Sequence, residues 1–243
     1  MDTTFNYSPN FEVKKRKANQ IKFVIFHYTG MKSEKEAINK LTNSESKVSC
    51  HYFIKNNGEI LSLVPDLYIA WHSGISRWKK YKSLNKYSIG IEINNSGHDI
   101  QYKKFSNNQI TAITKLSRFL IKKYQIKPSN FLGHSDIAPD RKKDPGEKFP
   151  WKYLSKKKIG FWHNLNDQIL FKERKKFTNN FEKIKFIENL FEIGYPKNFR
   201  ISKNVYSKIL SLAFQRRFRQ ELINGVIDQE CLSISKNLLK KSK

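Results

Sequence analysis

Cysteine is nearly absent: Cys50 and Cys231 are the only two in 243 residues. They lie far apart and without metal-type spacing, which excludes a disulfide framework and a cysteine-built metal cluster. Long apolar runs are missing too. The first ten residues have no apolar segment of signal-peptide type, and no later stretch reaches the length of a membrane span. The reading is therefore a protein with no integral membrane segment, expected in the cytoplasm, with the periplasm or cell envelope as the alternative compartment. Acidic residues are also few. Asp and Glu number 21 against 47 Lys and Arg, a formal charge of +26. Such a balance raises an anionic partner. The excess is not localised, however: residues 156–243 hold 20 basic against 8 acidic residues, and residues 1–155 hold 27 against 13. A uniform lysine coat without a recognised nucleic-acid motif reads as a solvated surface, so nucleic acid is not expected as a partner. The coat would still ease approach to an anionic surface. No tandem repeat is evident.

What is present is local and chemical. The segment Gly133-His134-Ser135-Asp136-Ile137-Ala138-Pro139-Asp140-Arg141-Lys142-Lys143-Asp144-Pro145-Gly146 puts a His, a Lys and an Asp into one loop. Its prolines and glycine keep it from becoming helix or strand. His134 follows the short apolar run Phe131-Leu132-Gly133 and so sits at a strand tip. His27 lies in a second apolar run, residues 21–28. Two imidazoles and one carboxylate suit Zn²⁺ and leave a coordination position open for water. Taken singly, a His at a strand end is more often a hydrogen-bonded core residue, and an Asp before Pro a turn residue. In the strand 88–94, alternation puts Gly90, Glu92 and Asn94 on one face and Ile89, Ile91 and Ile93 on the other. A carboxylate amid isoleucines needs a partner. Glu92 is either a structural ion pair or a general base, with Gly90 leaving room for substrate.

The pattern along the chain reads as an α/β domain with a mixed central sheet flanked by helices, followed by a small three-helix domain. Strands are expected at 21–28, 52–55, 59–64 and 88–94. Asn56-Asn57-Gly58 makes a hairpin of the middle pair. Ser33 with Glu36 and Ser106 with Gln109 are capping boxes opening two helices, the second running to Tyr124. Residues 1–155 form the first domain, 156–177 a basic linker, and 178–243 the helical domain. Its three apolar stripes are Phe181 to Phe191, Val205 to Phe218, and Cys231 to Leu238.

Several motifs in order resemble the type-2 N-acetylmuramoyl-L-alanine amidases, closest to the bacterial AmpD/AmiD branch. They are Phe26-His27-Tyr28-Thr29, Val48-Ser49-Cys50-His51-Tyr52-Phe53-Ile54, Ala70-Trp71-His72-Ser73-Gly74, Ser88-Ile89-Gly90-Ile91-Glu92-Ile93, the His134–Asp144 loop, and Phe149-Pro150-Trp151. The resemblance covers roughly residues 5–155. It implies a zinc amidase cleaving the bond between N-acetylmuramic acid, or its anhydro form, and L-alanine in peptidoglycan or muropeptides, for wall turnover or recycling. The ligands would be His27, His134 and Asp144. Glu92 matches the catalytic acidic residue, and Lys142, two positions before Asp144, matches the lysine that would stabilise an oxyanion. The family usually has Gly where Asp140 stands. Trp71 and His72 would line the substrate cleft or pack in the core, and Asn85 would touch substrate or shape a turn. His51 is an alternative ligand outside the family ligand positions. His98 is expected at the surface, and His163 in the linker as structural or exposed. A non-catalytic peptidoglycan recognition module is the alternative, but such modules usually lose a ligand. A more limited likeness, carried by Ile193-Gly194-Tyr195, Ala213-Phe214-Gln215-Arg216-Arg217-Phe218 and Asn224-Gly225-Val226-Ile227-Asp228, is to the peptidoglycan-binding helical domain that follows such catalytic domains. The chain is expected to be a monomer.

Overall fold

The computed structural model describes residues 3–242. Among them, ten strands follow in chain order: β1 (Thr4–Phe5), β2 (Phe11–Glu12), β3 (Phe23–Tyr28), β4 (Tyr52–Ile54), β5 (Ile60–Ser62), β6 (Ile69–Ala70), β7 (Arg77–Trp78), β8 (Tyr81–Lys82), β9 (Ser88–Ile93) and β10 (Phe131–Gly133). Eight α-helices are interleaved or follow: α1 (Glu34–Thr42), α2 (Asn107–Tyr124), α3 (His134–Ile137), α4 (Trp151–Lys156), α5 (Asp167–Glu173), α6 (Asn180–Ile193), α7 (Lys203–Phe218) and α8 (Gln229–Ser242).

Six strands make one mixed sheet in the order β1-β5-β4-β9-β3-β10. β4, β9, β3 and β10 run parallel, while the hairpin turns β5 and its partner β1 the other way. A parallel sheet needs cover on both faces, and the run Phe23-Val24-Ile25-Phe26 is buried throughout. One face carries Val24, Phe26, Ile89, Ile91 and Ile93 against Ile113, Leu116 and Leu120 of α2. The other carries Phe23, Ile25 and Leu132 in a cluster that continues through Trp78 and Leu84 into the C-terminal helices, with Phe186, Leu210, Phe214 and Leu238. Removing such a side chain fully from water contributes roughly 1.5–3 kcal/mol, against about 0–1 kcal/mol for an exposed ion pair. Shared burial therefore joins the tail to the sheet. Farther along that face, Phe53 and Leu61 pack on Ala37 and Leu41 of α1.

Local signals explain most element ends. Ser106 and Gln109 form a reciprocal capping box on α2, whereas Ser33 caps α1 through the Glu36 N–H without the return bond. Asn179 and Glu182 make a further reciprocal box on α6. The strand expected at 21–28 is β3, which begins at Phe23 rather than Ile21, because Ile21 closes a short turn by donating to the Ala18 carbonyl at 3.1 Å. The segment expected as a basic linker contains α5, capped by Asn166 and anchored by the buried Leu170. Both cysteines are free and buried. No helix among the described residues is long and apolar enough to cross a membrane.

Candidate metal and catalytic site

The site lies at the carboxyl ends of the parallel strands, where an α/β sheet leaves a crevice. His27 stands next to last in β3, and its register partner on β9 is Glu92, so the two side chains share a face. β10 ends at Gly133, and His134 opens α3 at once, so the segment expected as loop throughout starts with a strand end and one helical turn, and only from Ala138, before Pro139, is it irregular. The following loop folds back so that Ser135 N–H donates to the Asp144 carbonyl at 2.9 Å. This closure brings Asp144 beside His134. Gly133 is required there: a Cβ would lie 2.7 Å from the Pro145 ring.

Three ligand atoms converge. His27 Nδ1, His134 Nδ1 and an Asp144 carboxylate oxygen lie 3.0 Å from one another along all three edges. The surrounding bonds settle the tautomers. Ser88 Oγ–H donates to the Leu84 carbonyl at 2.6 Å, so Ser88 Oγ accepts from His72 Nε2–H at 3.2 Å. His72 Nδ1 is then left to accept from His27 Nε2–H at 3.1 Å. His134 Nε2–H donates to the Ser73 carbonyl at 3.1 Å. In the neutral rings both Nδ1 atoms therefore turn their lone pairs toward the Asp144 carboxylate oxygen. Burial, aided by nearby His134, lowers the His27 pKa to about 4, which keeps that imidazole neutral. Two imidazole nitrogens and a carboxylate so converged form a donor set that a divalent cation takes. A triangle of this size admits a point about 2.0 Å from every corner, the usual Zn–N and Zn–O distance. The residues fit zinc: a backbone carbonyl behind His134 is a usual way to orient a ligand, and the His72 imidazole does the same for His27.

Glu92 and Lys142 face the same cleft, a cavity of about 480 Å³ whose lining also includes Trp71 and Asp144. Glu92 has one carboxylate oxygen that is buried without a hydrogen-bond partner among the described residues. Burial, then the nearby Asp144 charge, raises its pKa to about 8, against the pull of Lys142. Trp71 and Lys142 are both half-buried at the cleft.

The remaining candidates take up varied positions around this centre. His72 touches the cleft, but both ring nitrogens are bonded to His27 and Ser88, so it supports a ligand and has no polar atom left for substrate. Gly90 leaves room for His72, not for substrate: a Cβ there would sit 2.4 Å from His72 Cγ. Asn85 lies outside the cleft lining, and its Oδ1 accepts from the His72 N–H, the Ser73 N–H and the Ser73 hydroxyl, holding that loop. His51 is fully buried and accepts from Gly90 N–H at 3.0 Å. His98 is half-buried rather than superficial, linking the Tyr28 hydroxyl and Glu147 at 2.9 Å each. His163 is buried. Sequence reasoning missed the supporting Ser88, although alternation along β9 already put it on the face of Gly90 and Glu92.

A family model described as N-acetylmuramoyl-L-alanine amidase matches residues 17–147. The chain belongs to the N-acetylmuramoyl-L-alanine amidase family. This amidase-family chain is 34% identical to N-acetylmuramoyl-L-alanine amidase AmiD of Escherichia coli K12 over 234 residues, 91% of this chain and 83% of that protein. It is 42% identical to the 1,6-anhydro-N-acetylmuramyl-L-alanine amidase AmpD of the same organism over 106 residues, 43% of this chain and 55% of that one. The solved complex of E. coli AmiD with anhydro-N-acetylmuramic acid-L-Ala-D-gamma-Glu-L-Lys matches at a TM-score of 0.81 and 33% identity, covering 91% of this chain and 90% of that one. All three ligand atoms and Glu92 lie within or at the edges of the family match.

Proposed function

We propose that the chain is a zinc-dependent amidase that hydrolyses the bond between the lactyl carbonyl of N-acetylmuramic acid, or its anhydro form, and the L-alanine nitrogen. The carrying observation is the buried convergence of His27, His134 and Asp144 with the partnerless oxygen of Glu92 in the same cleft. The complete ligand set favours an enzyme over a recognition module. Zinc held there would acidify a water and polarise the scissile carbonyl. Glu92 takes the proton from the attacking water and delivers it to the departing amine, a task suited to a carboxyl tuned toward neutral pH. Lys142 contributes an ammonium to the oxyanion of the tetrahedral intermediate. Trp71 offers an apolar wall to sugar or peptide. The buried Cys50 has no part in this chemistry. The likeness to relatives acting on anhydro-muramyl compounds supports muropeptides as substrates.

The test is mass spectrometry of products from an anhydro-muramyl peptide, paired with elemental analysis. Expected are about one zinc per chain, a released peptide with a free L-alanine amine, loss of release on chelation, and its return with zinc. Full activity in protein shown to be metal-free would overturn the assignment.

A further inference from the structure

Two residues beyond His134, Asp136 is buried to 1% exposure in α3. Its carboxylate accepts from Gly133 N–H at 2.8 Å, on the junction that carries His134. The remaining donors come from the C-terminal region, one from the segment between α6 and α7 and one from α7. Tyr195 OH donates at 2.9 Å, and Arg217 of α7 forms a buried ion pair. The Arg217 guanidinium also donates to the Phe131 carbonyl at 3.0 Å and lies 4.2 Å from the Trp151 ring centroid. One tail arginine thus grips the backbone three residues before the ligand and the carboxylate two residues after it.

Tyr195 is itself fixed. Its ring packs edge-on against Trp78 at 5.1 Å, and the Gly194 carbonyl accepts from Lys79 N–H at 2.8 Å. A Cβ at Gly194 would meet Trp78 at 2.7 Å. A second tie reaches the far arm of the loop, where Asn198 donates to Asp140 at 3.0 Å. Asp140 is the acid standing where the family pattern has glycine. The tail motifs are largely spent inward: Gln215 holds the Asn224–Gly225 turn and Arg219 pairs with Asp228.

We propose that Arg217 and Tyr195 are positioning residues of the metal site, so that the C-terminal helices complete the catalytic unit rather than hang from it. The proposal rests on the zinc reading above. A buried carboxylate that loses one of its donors, or the planar guanidinium that also grips the Phe131 carbonyl, must move or find another partner. Any shift of α3 displaces His134, and a ligand set tolerates only about half an ångström of looseness.

The experiment uses the full chain with Tyr195→Phe and Arg217→Lys. A matched control is Asn189→Ala, which removes a buried bond to Ser235 inside the tail only. Zinc dissociation constants come from competition with a chromogenic chelator, alongside metal-free melting temperatures and turnover at rising zinc. Expected is a roughly 10–100-fold weaker zinc affinity in the two test variants, with turnover restored by excess zinc. The control should melt lower yet hold zinc as the wild type does. Unchanged affinity in both test variants, or equal loosening in the control, would reject the coupling. If Arg217→Lys does not fold, Tyr195→Phe decides alone. A wild type that holds no zinc sinks the metal reading and the coupling with it, whereas a zinc-loaded wild type with unaltered variants sinks only the coupling.

Discussion

Gly90 and Glu92 stand two residues apart on one face of β9 and do opposite work. Gly90 is defined by the side chain it lacks, since the His72 ring occupies that space and hands its Nδ1 to His27. Gly90→Ala is expected to cost roughly 1–3 kcal/mol by overpacking and to weaken zinc binding by displacing His72. Thermal melting with a zinc titration checks both, and a variant with wild-type affinity would show that His72 is dispensable. Glu92→Gln keeps the shape and removes the proposed base. It should retain zinc and fold while losing about 10²–10⁴-fold in turnover; a near-native rate would remove Glu92 from the mechanism. These roles were unequally legible. Residue type and strand alternation pointed to Glu92, but nothing near Gly90 in the sequence says that a histidine 18 positions earlier fills its missing Cβ.

At the scale of elements, caps and turns were the readable part. The Ser106–Gln109 box bonds within itself, and the Asn56-Asn57-Gly58 turn closes through Gly58 N–H on the Lys55 carbonyl, so local residues reveal both. Ser106 accepts from Gln109 N–H at 3.1 Å while the Gln109 side chain returns a bond to Ser106 N–H at 3.0 Å. α2 covers the face of the sheet opposite to His27 and Glu92. Ser106→Ala should therefore lower stability by about 1 kcal/mol, some 2–4 °C in melting temperature for a chain of this size. Zinc content and turnover should stay at wild-type levels. A fall in zinc affinity would mean that α2 communicates with the site. α5 escaped notice because its segment is short and basic. Its signals are one Asn cap and one buried leucine, too few to stand out from a linker pattern.

Across the whole molecule, scarce acidic residues hold important interior positions: Asp66, Asp136, Asp228 and Glu230 are all buried and hydrogen-bonded. Burial alone would raise the Asp66 pKa, but donors from Lys123, Tyr124 and Tyr52 overrule it and hold the carboxyl below its ordinary value. The folded form thus binds the acid proton less readily than the unfolded chain. The resulting stability is present above the unfolded value, about 3.9, and is lost as pH falls through the folded value. Urea unfolding of the metal-free protein from pH 5 to pH 2 should show a steep acid limb, flattened in Asp66→Asn, which starts less stable at pH 5. An equally steep limb in that variant would assign the acid loss to other groups.

The sequence by itself determined the ingredients: two imidazoles and a carboxylate at strand and loop ends, a glutamate on the His27 face, and helices and hairpin marked by their own caps and turns. Each of these depends on backbone periodicity or on neighbours a few residues away. Only the tertiary structure decided how they combine. His27 and His134 are 107 positions apart, and Arg217 lies 81 positions from Asp136. Their meeting depends on the strand order that sets β3 between β9 and β10 and on a core that continues from the sheet into α6–α8. Long-range burial sets that order, and no local pattern of residues encodes which distant side chain will fill a given space.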